Sequence, residues 1–137
     1  MINDKYIHSD ITAEIQNVAF EVHKIVGPGF VESVYLRSMI VECGLRNIET
    51  DSEIELPIYY KSVRVGARRA GLLIKKKVII ELKAVVELND NHLAQAINYL
   101  EAFNLEVGLL INFGSKSLQY KRVIHPRFLN QKISKIS

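Results

Sequence analysis

The stretch Val78-Ile-Ile-Glu-Leu-Lys-Ala84 decides the fold of this chain, because it has the composition of a buried strand that carries two opposite charges. Side chains alternate across a β-strand, so residues two apart share a face, with Cα atoms roughly 6 to 7 Å apart. Glu81 and Lys83 are therefore predicted to lie side by side on one face of the sheet. Charges on a core strand are costly unless they are paired or put to use.

Two interpretations of this Glu-x-Lys pair are open from the strand alone. In the first, the pair is an ordinary salt bridge on a half-exposed strand, and the tripeptide is common enough for that. In the second, the carboxylate holds a divalent cation while the ammonium steadies a water molecule or a phosphate oxygen. The surrounding sequence has to decide between them.

The composition is that of a globular protein in a reducing compartment. The 137 residues fit one domain, 48% of them hydrophobic and 24% charged, so the chain can bury a core without staples. Cys43 is the only cysteine, which excludes a disulfide framework and a cysteine-built zinc site. The start of the chain has no apolar signal segment, and no apolar run approaches the length of a membrane span. We expect a cytoplasmic protein with no membrane partner.

Hydrophobic periodicity predicts two helices followed by strands. Apolar residues at helical spacing predict a helix that is capped by Ser9 or Asp10 and stops at Gly27-Pro28-Gly29. A second helix is expected from near Phe30 to Gly44, which would be its C-terminal cap. The period then shifts towards two, which predicts an antiparallel meander with strands at 54–60, 63–65, 72–74 and 78–85.

The second half of the chain predicts a crossover. Asn89 and Asp90 are expected to cap a third helix from His92 to about Phe103, and a nearly all-apolar strand follows at 107–113. A strand, helix, strand order predicts a right-handed crossover, so this strand should run parallel to the Glu-x-Lys strand. An edge strand is expected at 118–124, and the polar tail 127–137 should fray.

A window rich in cations precedes the Glu-x-Lys strand. The net charge of the chain is only +3, yet residues 61–77 contain no acid. Such a window can contact a polyanion, and it is equally typical of a solvated hairpin whose lysines protect an edge strand. Its cations, the candidate nucleic-acid contacts, are Lys61, Arg64, Arg68, Arg69, Lys75, Lys76 and Lys77.

Several short blocks identify a family when they are taken together and in order. They are Glu21-Val22-His23, Gly29-Phe30-Val31-Glu32-Ser33-Val34-Tyr35, Leu56-Pro57-Ile58-Tyr59-Tyr60, the strand 78–85, Ala94-Gln95-Ala96-Ile97-Asn98-Tyr99-Leu100 and Gly108-Leu109-Leu110-Ile111-Asn112-Phe113-Gly114. They span roughly residues 10 to 124 and resemble the GxxExxY family of the PD-(D/E)XK nuclease superfamily. The resemblance implies a restriction-endonuclease-like α/β core. In that core a mixed central sheet, an antiparallel meander plus one parallel crossover strand, is flanked by helices.

The resemblance also implies a metal-dependent phosphodiesterase site that cuts nucleic acid, with DNA favoured. Carried over residue by residue, Glu81 is a metal ligand, Lys83 lies beside the attacking water and Glu32 supplies a further carboxylate. Mg²⁺ or Mn²⁺ is the implied cofactor. The implied metal ligands are Glu81, the Leu82 carbonyl and Glu32, and the implied cleft residues are Gln95 and Tyr99.

One position departs from the family pattern. The family has Arg-Ala-Asp-Leu where this chain has Arg69-Ala70-Gly71-Leu72, so the aspartate that should bridge the metals is replaced by glycine. A hard cation needs several oxygen ligands, and Gly71 offers only its carbonyl. Weak metal binding and slow or absent hydrolysis are expected. A glycine within a strand also indicates a close backbone approach or simple degeneration.

Two functions of different class therefore stand. One is a metal-dependent nuclease with a weakened site, which the retained Glu81 and Lys83 favour. The other is a catalytically inactive nuclease-fold protein that binds nucleic acid or a protein partner, which Gly71 favours. His23 is expected to be a structural hydrogen-bonder and His92 a solvated residue at a helix start. The sequence is compatible with a homodimer, and it contains no motif of acyl-transfer enzymes or of phosphate-binding loops.

Overall fold

A computed structural model describes residues 7–52, 54–69 and 71–128 of the chain. Most of the polar tail predicted at 127–137 lies outside these described residues. The elements in chain order are α1 (Ser9–Val26), α2 (Glu32–Leu45), β1 (Thr50–Asp51), β2 (Glu55–Tyr60), β3 (Val63–Arg69), β4 (Leu72–Ile74), β5 (Val78–Lys83), α3 (Asp90–Phe103), β6 (Val107–Asn112) and β7 (Gln119–Ile124).

The main sheet is mixed, as predicted. It has five strands in the order β1-β4-β5-β6-β7, and helices lie on both of its faces. β5 and β6 run parallel, with partners from Val78 and Val107 to Lys83 and Asn112, and α3 makes the crossover between them. The other strand pairs are antiparallel. The predicted fold class, an α/β restriction-endonuclease-like arrangement, is confirmed.

The predicted meander is wrong, because its strands do not form one sheet, and the strand predicted at 63–65 extends to Arg69. β2 and β3 form a separate two-stranded sheet, and β4 pairs with β1 and β5 instead. The hairpin closes on itself through Lys61 and Ser62, which both have left-handed backbone angles (φ 47° and 69°), the geometry of a tight two-residue turn. β5 is also shorter than predicted. It ends at Lys83 because the side chain of Asn112 occupies the backbone groups of Val85. Asn112 Oδ1 accepts a hydrogen bond from the Val85 N–H, and Asn112 Nδ2 donates one to the Val85 carbonyl.

The helix boundaries differ from the predicted ones at four of their ends, and one of these is the start of α3, which begins at Asp90 rather than His92. α1 begins at Ser9, so Ser9 and Asp10 lie inside it, and its N-cap is His8 in a left-handed conformation. α2 begins at Glu32 rather than near Phe30 because Gly29 (φ 105°) still belongs to the turn, and Gly44 lies within the helix instead of capping it. The end of α1 before Gly27 and the cap of α3 at Asn89 are as predicted.

β5 separates two layers of the core, and its alternation decides which side chain enters which layer. Ile80 packs in a cluster with α1 and α2, together with Tyr35 and Met39. Ile79 packs on the other face with Tyr99 of α3. Glu81 and Lys83 have the parity of Ile79 and therefore project towards the α3 side. Among the described residues, no helix has both the length and the apolar character needed to cross a bilayer.

Candidate active site

Glu81 and Lys83 come together on the α3 side of β5. The Lys83 ammonium nitrogen lies 3.4 Å from Glu81 Oε1, and the two side chains are only 15% and 10% exposed. The first interpretation, an ordinary salt bridge on a half-exposed strand, does not fit a pair that is this enclosed. Taking two charges out of water costs several kcal/mol per ion, and only well-aligned pairing or a bound ligand offsets a cost of this size.

The second carboxylate oxygen of Glu81 is the least satisfied atom of the pair. Oε2 is buried and accepts no hydrogen bond from the described residues. Burial raises the pKa of Glu81, and the nearby charges of Lys83 and Arg68 lower it without cancelling that effect. A buried acceptor that lacks a partner is uncommon, and a bound cation is one of the ways to satisfy it.

Glu32 lies within electrostatic reach of Glu81. It is the first residue of α2 and is exposed, where the helix dipole favours a carboxylate. Its negative charge is a further cause that raises the pKa of Glu81, so the two carboxylates act on one another although they come from different layers of the fold. The predicted charged groups of the site are Glu81, Lys83 and Glu32. Lys83 contacts Glu81 directly, whereas Glu32 acts on Glu81 through its charge.

Tyr99 joins the site to the β2–β3 hairpin. Its ring is buried beneath the Arg68 guanidinium, whose carbon lies 4.6 Å from the ring centroid. Its hydroxyl donates a 2.8 Å hydrogen bond to the carbonyl of Arg69. Burial, followed by the charge of Glu81, raises the pKa of Tyr99, so its hydroxyl keeps its proton and remains a donor. Gln95 lies one turn earlier on α3 and is half-buried.

The two histidines have structural partners. His23 Nε2 lies 2.9 Å from the carbonyl oxygen of Ser115, which ties α1 to the loop after β6. His92 Nδ1 accepts a hydrogen bond from the Asn89 N–H and completes a capping box at the start of α3.

Burial raises the pKa of Cys43 to about 11, so the thiol is protonated at neutral pH and is a poor nucleophile.

Asn112 is a positioning residue that the sequence reasoning missed. It is fully buried next to Lys83 in the parallel pair of strands. Its Oδ1 accepts from the N–H groups of Val85 and Gly114, and its Nδ2 donates to the Val85 carbonyl and to Gln119 Oε1. These hydrogen bonds fix the backbone that follows β5 at Val85 to the backbone that follows β6 at Gly114. The signal was available, because a polar residue in an all-buried strand has to be satisfied somewhere.

Gly71 directly precedes β4, next to the Leu72–Ile80 pair, and its position is close to the backbone of β5 on either side of Glu81. A Cβ atom added there would be 2.2 Å from the carbonyl oxygen of Ile80, closer than real Cβ atoms approach. The glycine therefore permits a close backbone approach, and the family's aspartate does not fit without a shift of the strand.

The cations of the window 61–77 lie on two separate elements of the structure. Lys61, Arg64, Arg68 and Arg69 belong to the β2–β3 hairpin, and the three lysines 75–77 form the turn between β4 and β5. This turn lies at the opposite end of β5 from Lys83. Two of its lysines are paired with acids, Lys75 with Glu14 and Lys76 with Asp51. Among the cations of this window, Arg68 of the hairpin is the one whose charge acts on Glu81.

Comparison with known proteins places this chain in a superfamily. The sequence profile of the PD-(D/E)XK nuclease superfamily matches residues 9–123. The chain belongs to the PD-(D/E)XK nuclease superfamily. A solved structure described as the crystal structure of SSO0001 is similar to this superfamily member, with a TM-score of 0.57 and 20% identity over 93% of this chain and 70% of that one. This likeness supports the fold alone. The comparison with curated proteins gave no significant match.

PD-(D/E)XK nucleases generally depend on a divalent metal, and part of the donor set of this member fits one. Glu81 Oε2 is a buried acceptor that has no partner within the part of the chain that the structure describes, and the negative charge of Glu32 acts on Glu81. Oε2 of Glu81 fits one ligand position of a hard cation, whose other positions water and carbonyl oxygens would fill. Across the described ranges, no group of three or more His, Cys, Asp or Glu side chains could hold a metal.

Proposed function

We propose that this PD-(D/E)XK protein is a weakly active, metal-dependent nuclease of the GxxExxY family that hydrolyses phosphodiester bonds of DNA. The observation that carries the proposal is the buried Oε2 of Glu81 beside the Lys83 ammonium, since no residue in 7–52, 54–69 or 71–128 hydrogen-bonds to this oxygen. The family pattern that includes Glu32 and Tyr35 supports the narrower family assignment. A purely structural ion pair would leave this oxygen buried without any compensation.

The acidic residues would hold the cofactor. Glu81, Glu32 and the Leu82 carbonyl are the proposed ligands of Mg²⁺ or Mn²⁺, with water in the position that Gly71 leaves without a carboxylate. Once bound, the ion supplies Lewis-acid polarisation of a phosphate oxygen and a lower pKa of water. Because two carboxylates neutralise less charge than three, binding is expected to be weak.

Lys83 is the proposed catalytic cation. Its ammonium is held 3.4 Å from Glu81 Oε1 and is largely enclosed, so its position is fixed before the substrate arrives. A fixed ammonium can orient the attacking water and stabilise the negative charge that develops on the phosphate. Tyr99 and Asn112 position the surrounding backbone through their hydrogen bonds. We propose Gln95 as a further polar residue of the cleft.

The hairpin cations are the proposed phosphate contacts. Lys61 and Arg69 are exposed, and Arg68 lies between the hairpin and the site. Neutralising phosphates releases condensed counterions, so affinity for DNA should fall as salt rises. For single strands, the logarithm of the association constant should fall by about 0.7 per phosphate contact for each unit of the logarithm of the salt concentration. Lys75 and Lys76 should contribute less, because each already faces a carboxylate.

Cleavage assays with a matched control test the nuclease proposal. Wild-type protein, Glu81→Gln and the control Glu101→Gln, an exposed glutamate on α3, are incubated with plasmid and with single-stranded DNA in Mg²⁺ and in Mn²⁺. Wild type and the control should cut, and Glu81→Gln should not. Cleavage that survives Glu81→Gln, or no cleavage by any protein with either metal, would refute the proposal.

The second candidate is a nuclease-fold protein that binds nucleic acid without cutting it. The observation that favours it is Gly71, whose backbone approach leaves no room for the missing aspartate. Under this function, DNA would bind with the salt dependence described above while every cleavage assay stays negative. The same pair of experiments therefore separates the two functions.

A further inference from the structure

The β2–β3 hairpin carries a continuous face that leads away from the site. Residues that pair across two strands share a face, and so do residues two apart along one strand. The register pairs Leu56 with Arg68, Ile58 with Gly66 and Tyr60 with Val63, with a bulge after Ile58. We call these six residues the hairpin face: Leu56, Ile58, Tyr60, Val63, Gly66 and Arg68.

The inner end of the hairpin face is part of the site. Leu56 packs against the cluster around Tyr99 and Ile79. Arg68 lies over the Tyr99 ring, and its charge acts on Glu81. The outer end is four residues further along β2, roughly 13 Å at about 3.3 Å per residue. A chain molecule that follows this face from its outer end therefore arrives at Glu81 and Lys83.

The outer end of the hairpin face is apolar, aromatic and open. Tyr60 is 64% exposed, Val63 64% and Ile58 44%. The ammonium of Lys61 lies 5.5 Å from the centre of the Tyr60 ring, so a cation accompanies the aromatic surface. Large exposed apolar groups next to cations match a ligand that has both flat apolar surfaces and negative charge. An unpaired nucleotide has this chemistry, whereas a duplex hides its base faces.

We propose that Tyr60, supported by Ile58 and Val63, stacks on an unpaired base of single-stranded DNA whose backbone passes Lys61 and Arg68 towards Glu81 and Lys83. The inference rests on the proposed nuclease function and names its substrate class, a single strand or a single-stranded end. Base stacking on an aromatic side chain is tolerant of sequence, so no sequence preference is expected from this contact.

The opposite face of the hairpin supplies the matched control. Tyr59 pairs with Arg64 across the strands and so projects away from the hairpin face. It is 60% exposed, almost as much as Tyr60. On that face Arg64 is bound to Glu55 at 2.9 Å, which neutralises its charge. Tyr59→Ala therefore removes the same side chain at nearly the same exposure, without touching the proposed contact.

Fluorescence anisotropy in EDTA tests the inference without any metal or cleavage. A labelled oligothymidylate is titrated with wild type, Tyr60→Ala, Tyr60→Trp and Tyr59→Ala. Tyr60→Ala should weaken binding by about tenfold, since stacking on one base has this order of effect. Tyr60→Trp and Tyr59→Ala should bind as wild type does. An equal loss in both alanine variants, or no loss in either, would overturn the inference.

An abasic strand separates stacking from phosphate contact. An abasic oligomer of the same length keeps every phosphate and lacks the bases, so wild type should bind it about tenfold more weakly than oligothymidylate. Tyr60→Ala should not distinguish the two strands. Equal affinity of wild type for both strands, or tighter binding of a duplex, would overturn the inference. Tighter binding of oligouridylate would overturn its assignment to DNA.

The failure of this inference can be told apart from the failure of the nuclease proposal. A protein that binds single strands through Tyr60 and never cuts retains the hairpin contact and loses the catalytic function. A protein whose cleavage depends on Glu81 but whose binding ignores Tyr60 shows the reverse. The two readouts are independent, because the binding assay contains no metal.

Discussion

The Lys83 ammonium lies 3.4 Å from Glu81 Oε1, while Oε2 of the same carboxylate is buried with no hydrogen-bond partner among the described residues. One half of the carboxylate is thus paired and the other half is open to a ligand. An ion pair that served stability alone would gain from satisfying both oxygens, because an unmet buried acceptor costs about 1–3 kcal/mol. This asymmetry is what the proposed metal site explains.

Lys83→Met should abolish cleavage and destabilise the fold. The variant removes the charge and keeps much of the side-chain volume, so Glu81 loses its direct partner and its pKa should rise further. The expected loss in the free energy of unfolding is about 1–3 kcal/mol. Urea unfolding of wild type, Glu81→Gln, Lys83→Met and the double variant measures the coupling between the two residues.

The contrary outcome for Lys83 is equally specific. If the lysine only neutralises Glu81, Lys83→Met would lower stability and leave the cleavage rate unchanged. Lys116→Met, which removes an exposed lysine of the loop after β6, should change neither quantity and serves as the control.

The stability difference between Glu81→Gln and wild type should depend on pH in one direction. Burial raises the pKa of Glu81 in the folded state above 4.5, its ordinary value. The folded state therefore favours the protonated acid, and this contribution is fully present below pH 4.5 and is lost as the pH rises through the raised pKa. Metal-free Glu81→Gln should thus gain stability over wild type as the pH rises. Denaturant midpoints across this range measure it, and a variant that becomes relatively less stable would contradict the assignment.

Gly71→Ala should destabilise the protein, because the new Cβ would meet the Ile80 carbonyl oxygen at 2.2 Å. The expected cost is about 1–3 kcal/mol, the range for an overpacked site. Gly66→Ala in β3 is the control, since a Cβ added there meets no atom within 4 Å. Thermal unfolding compares the two variants, and equal stabilities would show that the strand can move.

The same geometry bears on restoring the family's aspartate. Gly71→Asp introduces a ligand and the clash together, so we expect it to lose stability without a gain in metal affinity. A stable and more active Gly71→Asp protein would mean that the glycine is simple degeneration.

Asn112→Ala should lower stability by about 3 kcal/mol, because half-buried backbone groups of Val85 and Gly114 would lose their hydrogen-bond partner. The loop that follows Lys83 would lose its anchor, so cleavage should fall even where the variant remains folded. Asn98→Ala, at an exposed position on α3, should be neutral or slightly stabilising. Hydrogen exchange of the Val85 and Gly114 amides distinguishes the two, and unchanged protection in Asn112→Ala would contradict the role.

The features that the sequence predicted correctly are those that depend on local pattern or on chirality. The cap at Asn89 and the stop at Gly27 follow from residue types within a single turn. The parallel pairing of the strands that contain Val78 and Val107 follows from the handedness of the crossover. The shared face of Glu81 and Lys83 follows from strand alternation.

The features that the sequence did not predict depend on contacts between distant residues. The separate β2–β3 sheet is decided by where Leu56 finds a core to pack against, and local propensity contains no such information. The stacking of Arg68 on Tyr99 joins residues far apart in the chain. The close approach at Gly71 is a property of backbone spacing, and a glycine in the sequence fits degeneration equally well.

The most direct test of the central claim is a calorimetric titration with Mn²⁺ at neutral pH, comparing wild type, Glu81→Gln and the exposed control Glu101→Gln. If Glu81 Oε2 is a cation ligand, wild type and the control should bind one ion weakly, and the heat should disappear in Glu81→Gln. Identical titrations for all three proteins would contradict the claim and leave the Glu81–Lys83 contact as a structural ion pair.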